Sequence, residues 1–355
     1  MHNFIKLFFL PLVLSTCVSF LITKYVIKFA NKFGLIDDPK KSNHPKVIHT
    51  YPVPRAGGLS IFISLLVSSV IFLPIDKHTI GILLGAIVLT ILGLLDDKHN
   101  LNPYKRLLIQ FFAAGIPIAF GVGIAFANLP FIGHTDLSHP QITFKLFGQI
   151  RNIWIFSDIF ALFWIVILMN FLNMGAKGVD GQLPGVAFLA SVTIAALSIN
   201  YSADITQWPV IILASITAGA FLGFLPWNYY PQKIMPGFSG SSLAGFLLAI
   251  LSILATAKIG TLLVVLGIPL IDTGYTIIRR LASGKSPVWG DRGHLHHKLL
   301  DLGLSKSQVT IVYWVATFIL AILALNLNAS YKFYTIVGVA TILGGFLLWL
   351  TYRSN

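Results

Sequence analysis

Apolar runs of about 20 residues recur along almost the whole of this 355-residue chain. Each is the length an α-helix needs to cross the hydrocarbon core of a bilayer. They fall near residues 4–30, 57–75, 79–95, 106–128, 155–172, 185–200, 208–226, 240–257, 259–278, 307–326 and 333–351. The fold class is therefore an all-α polytopic membrane protein of about eleven transmembrane helices, with residues 1–355 forming one integral-membrane domain. The first run has a weakly charged start and no small-residue cleavage site after it, so it reads as a retained helix. After the fourth run, LPFIGHTDLSHPQITFKLFGQIRN is too polar to cross and reads as a small surface hairpin. The one cysteine, Cys17, excludes an intrachain disulfide.

Charge sets the orientation. The net charge is +13, and only 10% of residues are charged. With the N-terminus outside, the cytosolic segments are 31–56, 96–105, 173–184, 227–239, 279–306 and the C-terminal tail. Counting the helix-end residues Lys24 and Lys28 with the first of them and Arg106 with the second, these segments hold 19 of the 25 basic residues, as the positive-inside rule requires. The hairpin then lies on the extracytoplasmic side. The same choice gathers every polar cluster on the cytosolic face. No nucleic-acid motif is present.

Five clusters carry candidate chemistry. HPKVIHTYPVPRAGG supplies Lys46, His49 and Arg55, basic residues on a proline-stiffened approach to the second helix. LLDDKHNLNPYKR puts Asp96 and Asp97 at the end of the third run, with Lys105 and Arg106 opening the fourth. Paired carboxylates at a membrane surface suit a hard divalent cation held together with phosphate oxygens, or a base toward a phosphate or hydroxyl. The whole chain contains no glutamate, so these acids are not part of a general acidic surface. MNFLNMGAKGVDGQLPG carries Asn170, Asn173, Lys177 and Asp180 among glycines that let backbone N–H groups approach a phosphate. FLPWNYYPQKIMPGFSGSS places Asn228 and Lys233 before a Gly/Ser turn that opens a helix, a ready anion site.

The fifth stretch, from Ile271 to Ser305, has Asp272 inside an apolar run and then Asp291, Arg292, His294, His296 and His297. An intramembrane acid is a functional candidate by default. The histidines could hold zinc, but no cysteine or regular four-ligand set accompanies them, and an anion such as a diphosphate suits them with Arg292. A transporter is the competing class for Asp272. Against it, the polar groups collect at one face, and the helices lack paired breaks in two halves.

Together, PVPRAGG, LLDDKHNLNPYKRLLIQ, FLPWNYYPQK and SPVWGDRGHLHHKLLDLG resemble the polyprenyl-phosphate N-acetylhexosamine-1-phosphate transferases, in order and over nearly the whole chain. The style is that of the WecA and TagO branch, related to MraY. The resemblance implies transfer of an N-acetylhexosamine 1-phosphate, GlcNAc preferred, from a UDP-sugar to undecaprenyl or another polyprenyl phosphate. The products would be UMP and the lipid-diphosphate-sugar that starts a cell-envelope polysaccharide. It implies a multi-pass protein of the plasma (inner) membrane and Mg²⁺ as cofactor, with Mn²⁺ as a substitute; a homodimer is left open. Asp96, Asp97 and Asp180 would be the catalytic acids, with Asp97, Asp180 and Asn173 on the metal side. Lys46, Arg55 and Arg106 would neutralise phosphates, with His49, Lys177 and Lys233 beside them. Asn228 would contact uracil. Asp291, Arg292, His294, His296 and His297 would hold the diphosphate and sugar.

Two positions depart from the family pattern. Bacterial members usually read DGxDG where this chain reads KGVDG, so Lys177 replaces the first aspartate; eukaryotic members also lack these acids. Most members read GDxGS, with a metal-binding aspartate, where this chain reads GFSGS and has Phe238. A catalytically impaired homologue that binds lipid phosphate or nucleotide sugar is therefore the alternative reading.

Overall fold

The computed structural model describes residues 4–41, 47–129, 133–146, 149–255, 259–286 and 292–353. Its helices are α1 (Ile5–Phe33), α2 (Gly57–Phe72), α3 (Lys77–His99), α4 (Pro103–Ala119), α5 (Ile155–Gly175), α6 (Gln182–Ile199), α7 (Trp208–Asn228), α8 (Gly237–Leu254), α9 (Ile259–Val265), α10 (Gly267–Ala282), α11 (Leu295–Asp301), α12 (Lys306–Asn326) and α13 (Ala329–Arg353). Among the described residues eight helices are long and apolar enough to span a bilayer, or nine if the bent α9–α10 pair is one span. The other two expected spans coincide with α2 and α4, of 16 and 17 residues. At 1.5 Å per residue each is about 24–26 Å long, short of a full hydrocarbon core.

Two expectations are corrected. The fourth run does not stay helical to residue 128. Helix α4 ends at Ala119, Gly121 turns the chain at φ 98°, and Phe126 begins a strand. The ninth run is not one straight span, because α9 and α10 meet at 79°. Pro269 has no N–H to give the carbonyl of Val265, so the helical ladder is open at the bend. The polar segment after α4 forms two antiparallel hairpins, β3 (Phe126–Leu129) with β4 (Gly133–Asp136) and β5 (Gln141–Leu146) with β6 (Gln149–Trp154).

The core lies around α8, which is almost wholly buried and packs on α5 and α3, while α7 packs on α1 and α6. Small hydroxyls hold α1 to its neighbours where hydrophobicity cannot discriminate protein from lipid. Ser15 and Ser19 donate to the carbonyls of Ile216 and Ala220, each at 2.7 Å, and Ser64 donates to the carbonyl of Ser15 at 2.6 Å. Helices α1 and α13, which are mostly exposed, turn Phe, Leu, Ile and Val side chains outward, as lipid-facing helices do.

Candidate active site

The two aspartates that end α3 point in different directions. Asp96 closes the α3–α4 turn. It accepts from the Leu101 amide at 3.0 Å, and its other oxygen lies 3.2 Å from the Arg106 guanidinium. Its carbonyl accepts from Asn100, the C-cap in left-handed conformation. Asn102 then caps α4 by accepting from Tyr104 at 2.9 Å. Asp97 instead faces the first turn of α8, its side chain fully buried. It accepts from the Phe238 amide at 2.9 Å and the Ser239 hydroxyl at 3.5 Å, with Arg55 at 3.4 Å.

Arg55 is delivered by backbone pairing. β1 (Ile36–Asp37) pairs with β2 (Val53–Pro54), and the next residue, Arg55, bridges to Met235. Met235 donates to the Pro54 carbonyl, and Gly57 donates to the Met235 carbonyl. Arg55 also lies 3.6 Å from Asp37, a residue the sequence reading did not select. Gly237 starts α8 at φ 71°, pressed so close to the Asp97 carboxylate that no side chain fits between them. Lys177 donates to the Gly237 carbonyl at 3.3 Å and to the Ser241 hydroxyl at 3.5 Å. Ser241 in turn donates to Asn173 Oδ1 at 2.7 Å. The Arg106 guanidinium lies over the Phe238 ring, 5.0 Å from its centroid. One buried carboxylate thus shares a helix N-terminus with Arg55, Arg106 and Lys177, an electropositive arrangement that favours an anionic ligand.

The glycine loop between α5 and α6 is pinned by two amides. Gln182 accepts from the amides of Gly178 and Val179 and donates to the Gly175 carbonyl. Asn228 accepts from the Gly181 amide and donates to Gln232 and to the Ile234 carbonyl. Asn228, expected to contact uracil, is buried, and both its amide protons and its oxygen have partners within the protein. Asp180 accepts from the Gln232 amide at 3.4 Å, and its carbonyl accepts from Thr310. Burial pushes its carboxyl above the usual range, against the lowering effect of Lys306. Among the described residues no three His, Cys, Asp or Glu side chains converge as a metal cage. Of the expected metal-side residues, Asp97 and Asn173 bond to the first turn of α8 through Phe238, Ser239 and Ser241, and Asp180 accepts from the Gln232 amide.

His49 is buried 3.8 Å from Asp37. Lys233 is also set apart. Its ammonium lies 5.4 Å from the Trp227 ring centroid, beside an open cleft of about 440 Å³ lined by Tyr51, Pro54 and Gln232. Lys46 and Asp291 lie outside the described residues.

The histidines close the other side of the glycine loop. His296 packs directly on Gly178, too tightly for a side chain at that position. Its ring lies 5.5 Å from that of His294, nearly parallel, and 4.3 Å from that of His297. Burial, followed by His297, His294 and Arg292, holds the His296 imidazole well below its usual pKa, so it is neutral at pH 7. Arg292 is exposed and pairs with Asp301 at 2.6 Å. Asp272, weighed from sequence only as an intramembrane acid, has one oxygen 3.0 Å from His294 Nδ1 and accepts with the other from the Leu295 amide at 2.7 Å. Gln182, Gln232 and Thr310 were missed altogether, because a lone amide or hydroxyl beside an apolar run carries no sequence signal.

The sequence model of glycosyl transferase family 4 matches residues 79–256, which run from the start of α3 through α8. The protein of Bacillus subtilis named "Probable undecaprenyl-phosphate N-acetylglucosaminyl 1-phosphate transferase" is 31% identical over 327 residues, covering 90% of this chain and 84% of that protein. The decaprenyl-phosphate N-acetylglucosaminephosphotransferase of Mycolicibacterium smegmatis is 26% identical over 334 residues, covering 85% of this chain and 78% of its own length. The undecaprenyl-phosphate alpha-N-acetylglucosaminyl 1-phosphate transferase of Thermotoga maritima is 27% identical over 321 residues, covering 90% and 89%. With this coverage, and with the acid pair and the helix N-terminus it faces both inside the matched segment, the chain belongs to glycosyl transferase family 4, as a member related to the polyprenyl-phosphate N-acetylhexosamine-1-phosphate transferases.

Proposed function

We propose that the chain transfers GlcNAc-1-phosphate from UDP-GlcNAc to a polyprenyl phosphate at the cytosolic face of the plasma membrane, giving polyprenyl-diphosphate-GlcNAc and UMP. The observation that carries this reading is the first turn of α8, where Asp97 meets Arg55, Lys177 and the Arg106–Phe238 pair. The orientation rests on the basic-residue bias. In the reaction a lipid-phosphate oxygen bonds to the β-phosphorus of the nucleotide sugar. The bond from that phosphorus to the bridging oxygen breaks, and UMP leaves. Tyr104, Leu108 and Phe112 form an exposed apolar stripe on α4, on a different face from Arg106, and an isoprenoid chain can lie against it.

Asp97 takes the proton of the lipid phosphate or orients it, and its contacts with Phe238 N–H and Ser239 keep it aimed. Arg55, Arg106 and Lys177 offset the charge of the phosphates, which is the main catalytic demand of phosphoryl transfer. His294 and His297 hold the diphosphate and sugar. Asp97 and Asn173 fit a hard divalent cation that takes its remaining ligands from phosphates and water. Bound there, Mg²⁺ or Mn²⁺ would supply Lewis-acid neutralisation of the diphosphate. Lys177 carries part of that electrostatic role.

The reading is tested by incubating purified protein, Mg²⁺ and undecaprenyl phosphate with a panel of radiolabelled UDP-sugars. Label from UDP-GlcNAc should enter the lipid extract in step with UMP release. Lipid-phosphate binding without UMP at any Mg²⁺ concentration would establish the impaired binder instead, the reading that Phe238 and Lys177 favour.

A further inference from the structure

We infer that Asp272 is a positioning residue of this site, fixing His294 as its Nδ1–H tautomer so that Nε2 is the nitrogen offered to the substrate; the inference rests on the transferase reading for what that nitrogen meets. Asp272 is fully buried on α10, preceded by the apolar Pro269, Leu270 and Ile271 and followed by Thr273. A carboxylate there is costly unless its oxygens are bonded. One oxygen accepts from the Leu295 amide at 2.7 Å, satisfying a free N–H at the start of α11. That bond would suffice for a helix cap. The other oxygen lies 3.0 Å from His294 Nδ1, and the Thr276 hydroxyl lies 3.4 Å from the same nitrogen.

An ionised carboxylate only accepts hydrogen bonds. The nitrogen facing it must therefore carry the proton, since the other tautomer would set two lone pairs against each other at 3.0 Å. With Nδ1 committed inward, Nε2 is the ring nitrogen left for a ligand. The support behind this pair is rigid. The 79° bend carries α10 away from the line of α9, and Thr273 donates to the Phe171 carbonyl at 3.1 Å, tying α10 to α5. The His294 ring then stacks on His296, which is seated on the glycine loop. A carboxylate that sets the tautomer and aim of a functional imidazole is a recurrent second layer of support, and behind metal-bound histidines its loss typically costs about 10- to 100-fold.

The test uses the full-length protein with histidine labelled in both ring nitrogens. Long-range ¹H–¹⁵N spectra at pH 8, with the His294 signals assigned by their loss in His294→Ala, should show the Nδ1–H form in wild type and the Nε2–H form in Asp272→Asn. Asp272→Asn should lower kcat/KM for UMP release about 10- to 100-fold, yet less than about twofold in the His294→Ala background, because it acts through that ring. An equal loss in both backgrounds, or an Nε2–H form in wild type, would overturn the inference. If wild type releases no UMP, the proposed reaction falls, while the spectra still decide the Asp272–His294 link. If Asp272→Asn does not fold, the wild-type spectrum and Asp272→Glu, which should keep the Nδ1–H form, decide it.

Discussion

At the end of α3, Asp97 is met by an amide, a hydroxyl and a guanidinium, with an ammonium nearby on the same helix turn. Across the glycine loop, Asp272 is met by one imidazole and one amide, both within hydrogen-bond distance and both inside a sealed helix junction. Burial alone does not separate the two acids, since both side chains are fully covered. Their partners do. The Arg55 contact of Asp97 is 3.4 Å long, and the same guanidinium also reaches Asp37 at 3.6 Å. The contacts of Asp272 are short and structural. On the proposed reading Asp97 is kept for chemistry and Asp272 holds a neighbour. A buried acid at a membrane enzyme's site therefore has to be read from what its oxygens touch.

Asp97→Asn gives the sharpest break in this comparison. It keeps the size and one acceptor but removes the charge and the base. We expect transferase activity to fall by about 10²–10⁴-fold, with the protein still folded in the membrane fraction. Retention of more than about a tenth of activity would end the catalytic assignment. The adjacent Asp96→Asn should cost less, about tenfold, because its oxygen can still accept from Leu101 while only the Arg106 pairing weakens. Steady-state rates of UMP release for the two variants, side by side, measure the difference. Equal losses would mean the acids act as one unit.

The sequence made one side of this contrast legible and concealed the other. Asp97, Arg55, Arg106, Asn173 and Lys177 could be grouped in advance because charged and amide residues at the ends of apolar runs must gather at one membrane face. The direction in which Asp96 and Asp97 diverge could not be read, since it depends on the Asn100 turn. Asn228 looked like a ligand contact for a related reason: a polar residue among aromatics has the same signature whether it faces a substrate or pins a loop. Asp272 was visible as an acid in an apolar run, but its partner His294 lies 22 residues on, past the end of α10, and hydropathy equally hid the 79° bend before α10. Hydropathy records the length of a run and says nothing of its direction. The Gly267–Pro269 pair was the one local sign of that bend.

Phe238→Asp tests a smaller effect on the Asp97 side. The Phe238 amide serves Asp97 whatever its side chain is, so the substitution leaves that bond in place. It replaces a ring under Arg106 with a carboxylate next to the proposed cation position. Affinity of an oxygen site for a hard cation rises with the number of charged ligands. We expect the Mg²⁺ concentration for half-maximal UMP release to fall about three- to tenfold. A wild type with an ordinary micromolar-to-millimolar requirement that Phe238→Asp does not change would refute the altered metal site.

The smallest expected effect lies on the histidine side and is read in stability. The His296 imidazole is held well below its usual value of 6.5 by burial and by His297, His294 and Arg292. In the folded protein it stays neutral, while in the unfolded chain it takes up a proton as pH falls past about 6.5. Wherever the unfolded state binds more protons, stability falls with falling pH. This group is therefore neutral in its effect above pH 7 and destabilises the fold progressively below 6.5. For one such histidine the loss between pH 6.5 and 5.5 is about 1 kcal/mol. His296→Gln cannot take up that proton, so its thermal midpoint in detergent should fall less than that of wild type over the same interval. The comparison between the two proteins cancels the titration of groups that do not interact with His296. Parallel midpoint curves would show that His296 titrates alike in the folded and unfolded states, and that its ring is not sealed against the glycine loop as the packing on Gly178 requires.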